Sequence, residues 1–387
     1  MKVTQITPGR FHHFHLARQM EIHGLLDKVY TGYPKFKLKD EQGIPRDKID
    51  TFPWIQTPYM KRGSFGLDKF EWLNKEWTWL RIQSLDKYVV GRIKEKGVLI
   101  AMSSNGLYSG KKMQSIGGKY ICDRGSTHVV FQNEILAEEY NRWGFKWKGI
   151  DERIIDKEQQ EYEQADYIAI ASEFVRNSFI DKGVEESKLL KIPYGARLER
   201  FSKIGNPVKG KFSVLWVGSI SLRKGFMYAL DAFNEFKHPN KEFVVIGAMT
   251  TEVKLTLDTR QVKNVVFKGN VPNTELINYY NKADVFLLPS IEDGFGMVMA
   301  EAMACGCPVI ASTNTGSKEL ITNNKDGFII PIRNQNAILE SFQKLMDTPD
   351  LRTEMSENAL VKVRSFEGWD TYGNNFRSLI DDIIIKK

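Results

Sequence analysis

From about residue 165 the chain alternates short, almost wholly apolar runs with stretches whose apolar residues recur at helical spacing. Tyr167–Ala171, Leu189–Pro193, Phe212–Val217, Phe243–Ile246, Val265–Phe267, Val285–Leu288 and Pro308–Ala311 read as strands. Glu173–Lys182, Gly225–Phe236 and Thr274–Asn281 read as helices, one more helix precedes Pro308, and Trp369–Lys387 closes the chain as another. Strands apolar on both faces that alternate with helices predict a parallel sheet covered on both sides. Lys2–Thr7, Val98–Met102 and Lys119–Cys122 fit strands of a similar sheet, and polar Ser202–Lys211 reads as a linker. The pattern predicts two doubly wound α/β domains, 1–203 and 204–368, facing across a cleft, with helix 369–387 packing back on the first. Ligands of open α/β sheets bind beyond the carboxyl ends of the strands, which makes the cleft the expected site.

Composition agrees with two cores. The 387 residues are 42% hydrophobic and 27% charged, too long for one ordinary core. No apolar run approaches the roughly 18 residues that span a bilayer, and the start, Met1–Ile6, lacks the apolar core of a signal peptide. Three cysteines, Cys122, Cys305 and Cys307, are too few for a disulfide framework and predict a cytoplasmic chain. Cys305-x-Cys307 lacks a second ligand pair and reads as small residues near a helix end. Charge is uneven. Residues 1–150 hold 25 Lys and Arg against 15 Asp and Glu, a net +10, whereas residues 151–387 hold 30 against 33. A basic first half predicts an anionic partner, for which nucleic acid, anionic lipid and phosphorylated substrate all qualify.

The sharpest chemistry lies in Leu287–Ser312, which reads as strand, glycine-rich loop, helix and strand. Glycines let a backbone approach a ligand closely, and the first free N–H groups of a helix favour an anion. Asp293 falls in the loop and Glu301 a turn or so into the helix, so two acceptors flank a phosphate cradle. A nucleotide sugar, with hydroxyls on both sides of its phosphates, is a ligand of that kind.

This stretch resembles the large retaining glycosyltransferase family that carries a Glu-x7-Glu motif, family 4, whose fold is the GT-B arrangement of two Rossmann-like domains. The resemblance extends through Ala165–Val175, Ile192–Ala196 with Phe201, Val217-Gly218-Ser219 on to Arg223-Lys224-Gly225, Thr315–Glu319, and Asp326-Gly327. It covers roughly residues 120–340 in order. It implies that Asp293 holds sugar hydroxyls, Glu301 holds the ribose, and the amides after Gly294, those of Phe295, Gly296 and Met297, face a diphosphate. Lys224 stands where the family's phosphate-binding lysine stands. Two departures occur: Asp293 replaces the usual first Glu, which raises the question of whether Glu292 assists, and Ser219 replaces an arginine, whose charge Arg223 is expected to supply.

Signals in the first half are weaker. Gly9, after the first strand, matches a glycine-rich loop of the family at one position. His12, His13, His15 and His23 read as a polar helix start rather than a metal site, because no acidic ligand sits in register beside them. The family places a histidine at the transferred sugar near the end of strand 119–122. His128 is the candidate, Arg124 is the alternative by simple alignment, and a helix-capping histidine is an equal reading. Phe70–Lys96, with Trp72, Trp77 and Trp79, and Arg142–Lys148 are basic and aromatic. Such stretches either pack on their own core or lie on a membrane.

The resemblance implies sugar transfer from a UDP- or GDP-sugar to a glycan or lipid-linked hydroxyl, with retention and a front-face mechanism. No residue stands out as a covalent nucleophile. No cofactor, no metal and no nucleic acid are expected, the absence of Asp-x-Asp speaking against a metal-bound donor, and weak contact with anionic membrane is expected. Surface polysaccharide or glycolipid synthesis at the inner face of a membrane is the setting implied. Two rivals remain: a nucleotide-sugar epimerase or dehydrogenase, against which the missing G-x-G-x-x-G counts, and a silent subunit that binds donor or glycan only.

Overall fold

The computed structural model describes residues 1–385 apart from Arg197, Gln261 and Glu367. Its first sheet is built from β1 (Val3–Thr7), β2 (Leu26–Thr31), β3 (Ile49–Thr51), β4 (Val98–Met102), β5 (Lys119–Arg124), β6 (Tyr167–Ile170) and β7 (Leu189–Lys191). These strands lie in the order β3-β2-β1-β4-β5-β6-β7, all parallel. The second sheet holds β8 (Phe212–Val217), β9 (Lys241–Ile246), β10 (Val265–Gly269), β11 (Val285–Leu288), β12 (Val309–Ser312) and β13 (Gly327–Ile330). Its order is β10-β9-β8-β11-β12-β13, again parallel throughout. Each order reverses direction once, between β1 and β4 and between β8 and β11. Those switch points are where the loops after neighbouring strands diverge and leave a crevice.

The strands are buried because their sequences carry apolar residues on both faces. Every residue of β8, β11 and β12 is buried. Helices cover both sides, and Phe212, Val214 and Trp216 of β8 pack on one face with Phe226, Leu230 and Phe233. Leu215 and Val217 turn to the other face, toward Phe286, Met299 and Met303. The last helix, Gly368–Ile385, returns to the first domain, where Tyr372, Phe376 and Ile380 join Phe14, Leu16 and Val29 in one core. Lys386 and Lys387, read from the sequence as the end of this helix, lie outside the described residues. Among the described residues no helix is long and apolar enough to cross a membrane.

The two domains touch at their carboxyl-end loops. Gly294 lies so close to the loop after β5 that a Cβ there would sit 2.0 Å from the carbonyl oxygen of Gly125. Ser172 donates to the carbonyl of Gly294 (2.7 Å), the amide of Glu173 to Glu319 (2.7 Å), and Arg333 to Glu139 (2.6 Å).

Candidate active site

At the β8/β11 switch point a cavity of about 260 Å³ opens between the domains. Its carboxy-terminal-domain wall is Gly218 and Ser219 after β8, Lys224, and Asp293, Phe295, Gly296 and Met297 after β11, while Gly125 and Tyr194 close it from the other side. The loop after β8 must fold tightly against the loop after β11. Gly225 makes this possible: its φ is +75°, and a Cβ would lie 2.1 Å from the carbonyl oxygen of Pro289. Arg223 ties the same two loops through its carbonyl, which accepts from the amide of Ile291 (2.9 Å).

Lys224 forms an ion pair with Asp293, and both side chains are largely buried at the cavity wall. Among the described residues, the amides of Phe295, Gly296 and Met297 donate to no backbone carbonyl. They precede the short helix Val298–Ala304. The cavity therefore offers one ammonium, one carboxylate and three donors in a small volume, a set that suits an anion with hydroxyls beside it.

Arg223, expected from the sequence to supply phosphate charge, pairs with a carboxylate and is not among the residues lining the cavity. Its guanidinium lies 2.8 Å from Glu292, whose carboxylate is fully buried. Glu292 also accepts from Ser126 Oγ (2.6 Å), Thr127 Oγ1 (3.0 Å), the Thr127 amide (3.3 Å) and Gln132 Nε2 (3.1 Å). Burial works to raise its pKa, but Arg223 and these donors outweigh it and hold the carboxyl at about 2. Glu292 is thus not a helper of Asp293 at a sugar. It is an ionised hub joining the loop after β8 to the loop after β5.

Neither candidate for the histidine's place lines the cavity. His128 sits at the N-cap of the helix Val129–Arg142, where its Nδ1 accepts from the Val130 amide (3.3 Å). Its ring packs on Tyr162 and Phe179 in the core, and burial, with Arg124 and Lys182 nearby, pushes its pKa down to about 4. Arg124 is buried too, holding Glu158 (2.8 Å), Ser103 Oγ (3.1 Å) and the Thr127 carbonyl (3.0 Å). Gly9 follows β1, its carbonyl accepting from Thr7 Oγ1, and is not part of the wall either. Ser219 is an exposed lining residue. Glu301 is half-buried and not among the residues lining the cavity; it accepts from Tyr280 Oη (3.0 Å), and burial raises its pKa.

Residues that local spacing did not reveal surround the same place. Asp123, at the end of β5, lies 2.7 Å from His12 Nε2 and 3.0 Å from His13 Nε2, so an acid does stand beside the histidines. These three side chains are a group able to hold a metal ion. Burial opposes ionisation of Asp123, yet the two histidines keep its carboxyl well below the usual range. The His12 ring also rests on Tyr194, one of the cavity residues, at 4.5 Å between centroids. The signal available in the sequence was an aspartate at a strand's carboxyl end; its partners come from a helix 111 residues earlier. Cys122, Cys305 and Cys307 are free and buried.

Part of the chain is similar to a known family. Residues 199–361 match the family model of the glycosyl transferases group 1. The capsular polysaccharide biosynthesis glycosyltransferase CapM of Staphylococcus aureus is 28% identical over 218 residues, which are 52% of this chain and 57% of that one. The chain spans about half the length of the curated relatives it matches. Among solved structures, sucrose-phosphate synthase from Thermosynechococcus elongatus superposes with a TM-score of 0.70 at 17% identity, covering 100% of both chains. Anabaena HepE, solved with UDP and glucose, gives 0.69 at 16% identity, covering 99% of this chain and 100% of that one. Residues 199–361 are therefore similar to the glycosyl transferases group 1, and the chain has a GT-B fold of two parallel-sheet, Rossmann-like halves.

Proposed function

We propose that the chain is a retaining, metal-independent glycosyltransferase, moving a sugar from a UDP- or GDP-sugar to a hydroxyl on a glycan or lipid-linked acceptor. We assign it to surface polysaccharide or glycolipid synthesis, as the name of the S. aureus relative suggests, working at the cytoplasmic face of a membrane. The domain boundary is drawn at 203/204, with the donor held by the second domain. No cofactor takes part; the nucleotide sugar is a substrate.

One observation carries the reading: Lys224, Asp293 and three donor-ready amides converge on a cavity between the domains. With donor absent, Lys224 and Asp293 neutralise each other. A diphosphate entering beside Phe295–Met297 takes Lys224 as its counter-ion, which releases Asp293 to accept from sugar hydroxyls. As the glycosidic bond breaks, negative charge grows on the leaving diphosphate, and Lys224 with the amides stabilises it more strongly than in the ground state. The departing phosphate oxygen takes the acceptor's proton on the same face, so no covalent nucleophile is required. Glu301 holds ribose hydroxyls, and Arg223 acts through Glu292 by shaping the loop. At about 260 Å³ the cavity lies below the roughly 300–1,000 Å³ of ligand pockets. Donor entry therefore requires it to widen.

The test is to incubate the purified chain with a panel of UDP- and GDP-hexoses and measure free nucleoside diphosphate, alongside each donor's effect on the melting temperature. The expected result is that one donor raises the melting temperature and is also slowly turned over. A donor that raises the melting temperature but is never cleaved, with any acceptor tried, would make the chain a binding subunit instead.

A further inference from the structure

We propose that the surface formed by residues 53–80 is a docking face for an anionic lipid bilayer. More than a third of the exposed large hydrophobic residues among those described fall in this short stretch: Trp54, Met60, Phe65, Phe70, Trp72 and Leu80. Trp54 is 75% exposed, Phe65 73% and Trp72 67%. A soluble surface rarely carries so many large apolar side chains together without a partner.

The local structure explains why they face outward. The helix Pro53–Lys61 buries none of its residues. In the following helix, Glu71–Val90, the first buried residue is Ile82, after which Leu85 and Val89 enter the core. The first three turns stay outside the core: Trp72 and Leu80 are exposed, whereas Leu73, Trp77 and Trp79 are half-buried, Trp77 against Tyr59 and Trp79 under the Arg153 guanidinium. An open groove of about 750 Å³ runs beside them, lined by Leu73, Trp77, Trp79, Leu80 and Tyr108. The other basic, aromatic stretch behaves differently: Trp143, Phe145 and Trp147 pack against the cores, and its cations Arg142, Lys146 and Lys148 remain outside.

Charge selects an anionic bilayer as the occupant. Of the three acids in this stretch, Glu71 is held by Lys148 (3.0 Å) and Glu76 by Arg153 (2.9 Å), which leaves the exposed Asp68 as one negative charge against three lysines. Lys61, Lys69 and Lys75 have no carboxylate within 4.0 Å among the described residues. Aromatic side chains flanked by unpaired lysines are the combination that inserts at a headgroup layer and is drawn to anionic lipid. The face begins directly after β3, at the carboxyl end of an edge strand of the first sheet. The docking itself does not depend on the transfer activity.

The experiment is flotation of the full chain with liposomes of neutral phosphatidylcholine or of the same lipid with 30 mol% phosphatidylglycerol, at low salt and at ~0.5 M salt. Binding to the anionic vesicles should exceed binding to neutral ones by at least about tenfold at low salt and fade as salt screens the charges. The double substitution Trp54→Ser, Trp72→Ser should lower binding about tenfold with an unchanged melting temperature. Lys61→Glu with Lys69→Glu should remove the preference for anionic lipid. Equal recovery with the two vesicle types at low salt would overturn the proposal, as would a tryptophan variant that is folded and floats like the parent chain.

Discussion

Replacing Glu292 by glutamine removes one charge from a side chain that is 0% exposed and leaves its volume almost unchanged. The consequence can be worked from the structure. In the folded chain the carboxyl titrates at about 2 rather than 4.5. At about 1.4 kcal/mol per unit, that difference is about 3 kcal/mol of preference for the ionised form. A carboxyl whose folded pKa is depressed contributes stability above its unfolded pKa and loses it as pH falls toward the folded value. The contribution is therefore complete above about pH 5 and disappears between about 4.5 and 2. Glutamine keeps one acceptor oxygen for Ser126 or Thr127 but leaves the Arg223 guanidinium without its counter-charge. Glu292→Gln should lower stability by about 3 kcal/mol at pH 7, or ~6–12 °C in melting temperature for a domain of this size. The stability difference between parent and variant should shrink below about pH 4. Because Arg223 is the principal partner, adding Arg223→Ala should cost much less in the Gln background than in the parent chain. Calorimetry from pH 7 to pH 3 reads all of this. A variant within ~1 °C of the parent at pH 7, with additive effects of the two substitutions, would show that Glu292 does not join the loops.

Three further outcomes follow from the site. His128→Ala should leave kcat unchanged and destabilise the chain by about 1 kcal/mol through loss of a helix cap, and a kcat loss of tenfold or more would return His128 to the reacting sugar. Its depressed pKa also means that stability in the parent chain declines as pH falls from about 6.5 toward about 4, a slope that the alanine variant should lack in a thermal-melt series. Glu301→Ala should raise the donor KM with little change in kcat, since ribose hydroxyls do not change during reaction; steady-state kinetics on the folded variant decide it. Activity should survive EDTA, and loss on chelation that manganese or magnesium restores would overturn the metal-independent reading and direct attention to His12, His13 and Asp123.

Sequence pattern carried the second domain further than the first, for a physical reason. β8, β11 and β12 are short runs buried on both faces, so their apolar character is continuous and unmistakable. β2, in contrast, is Leu-Asp-Lys-Val-Tyr-Thr: the exposed Asp27, whose carboxylate accepts from Thr4 Oγ1, and the half-buried Lys28 break the run. β3 has three half-buried residues, too few for any period to show. The loop from Asp293 to Glu301 was legible because glycines and two acids recur there at short range. Glu292 was visible only as a neighbour of Asp293, since its partners Ser126 and Thr127 lie 166 and 165 residues away. Arg223 shows the same limit: its position in the loop after β8 points to phosphate, while its carboxylate partner comes from the loop after β11. His128 has a capping partner two residues on, and the capping reading was available from the start.

The central claim is that Lys224 stabilises the charge that develops on a departing diphosphate. Steady-state turnover of the preferred nucleotide sugar by Lys224→Ala tests it most directly. The substitution removes the cavity's ammonium and leaves Asp293 unneutralised beside the phosphates. The account predicts a fall in kcat of about 10²–10³ at saturating donor, with the fold intact. Normal kcat with only a raised donor KM would contradict it.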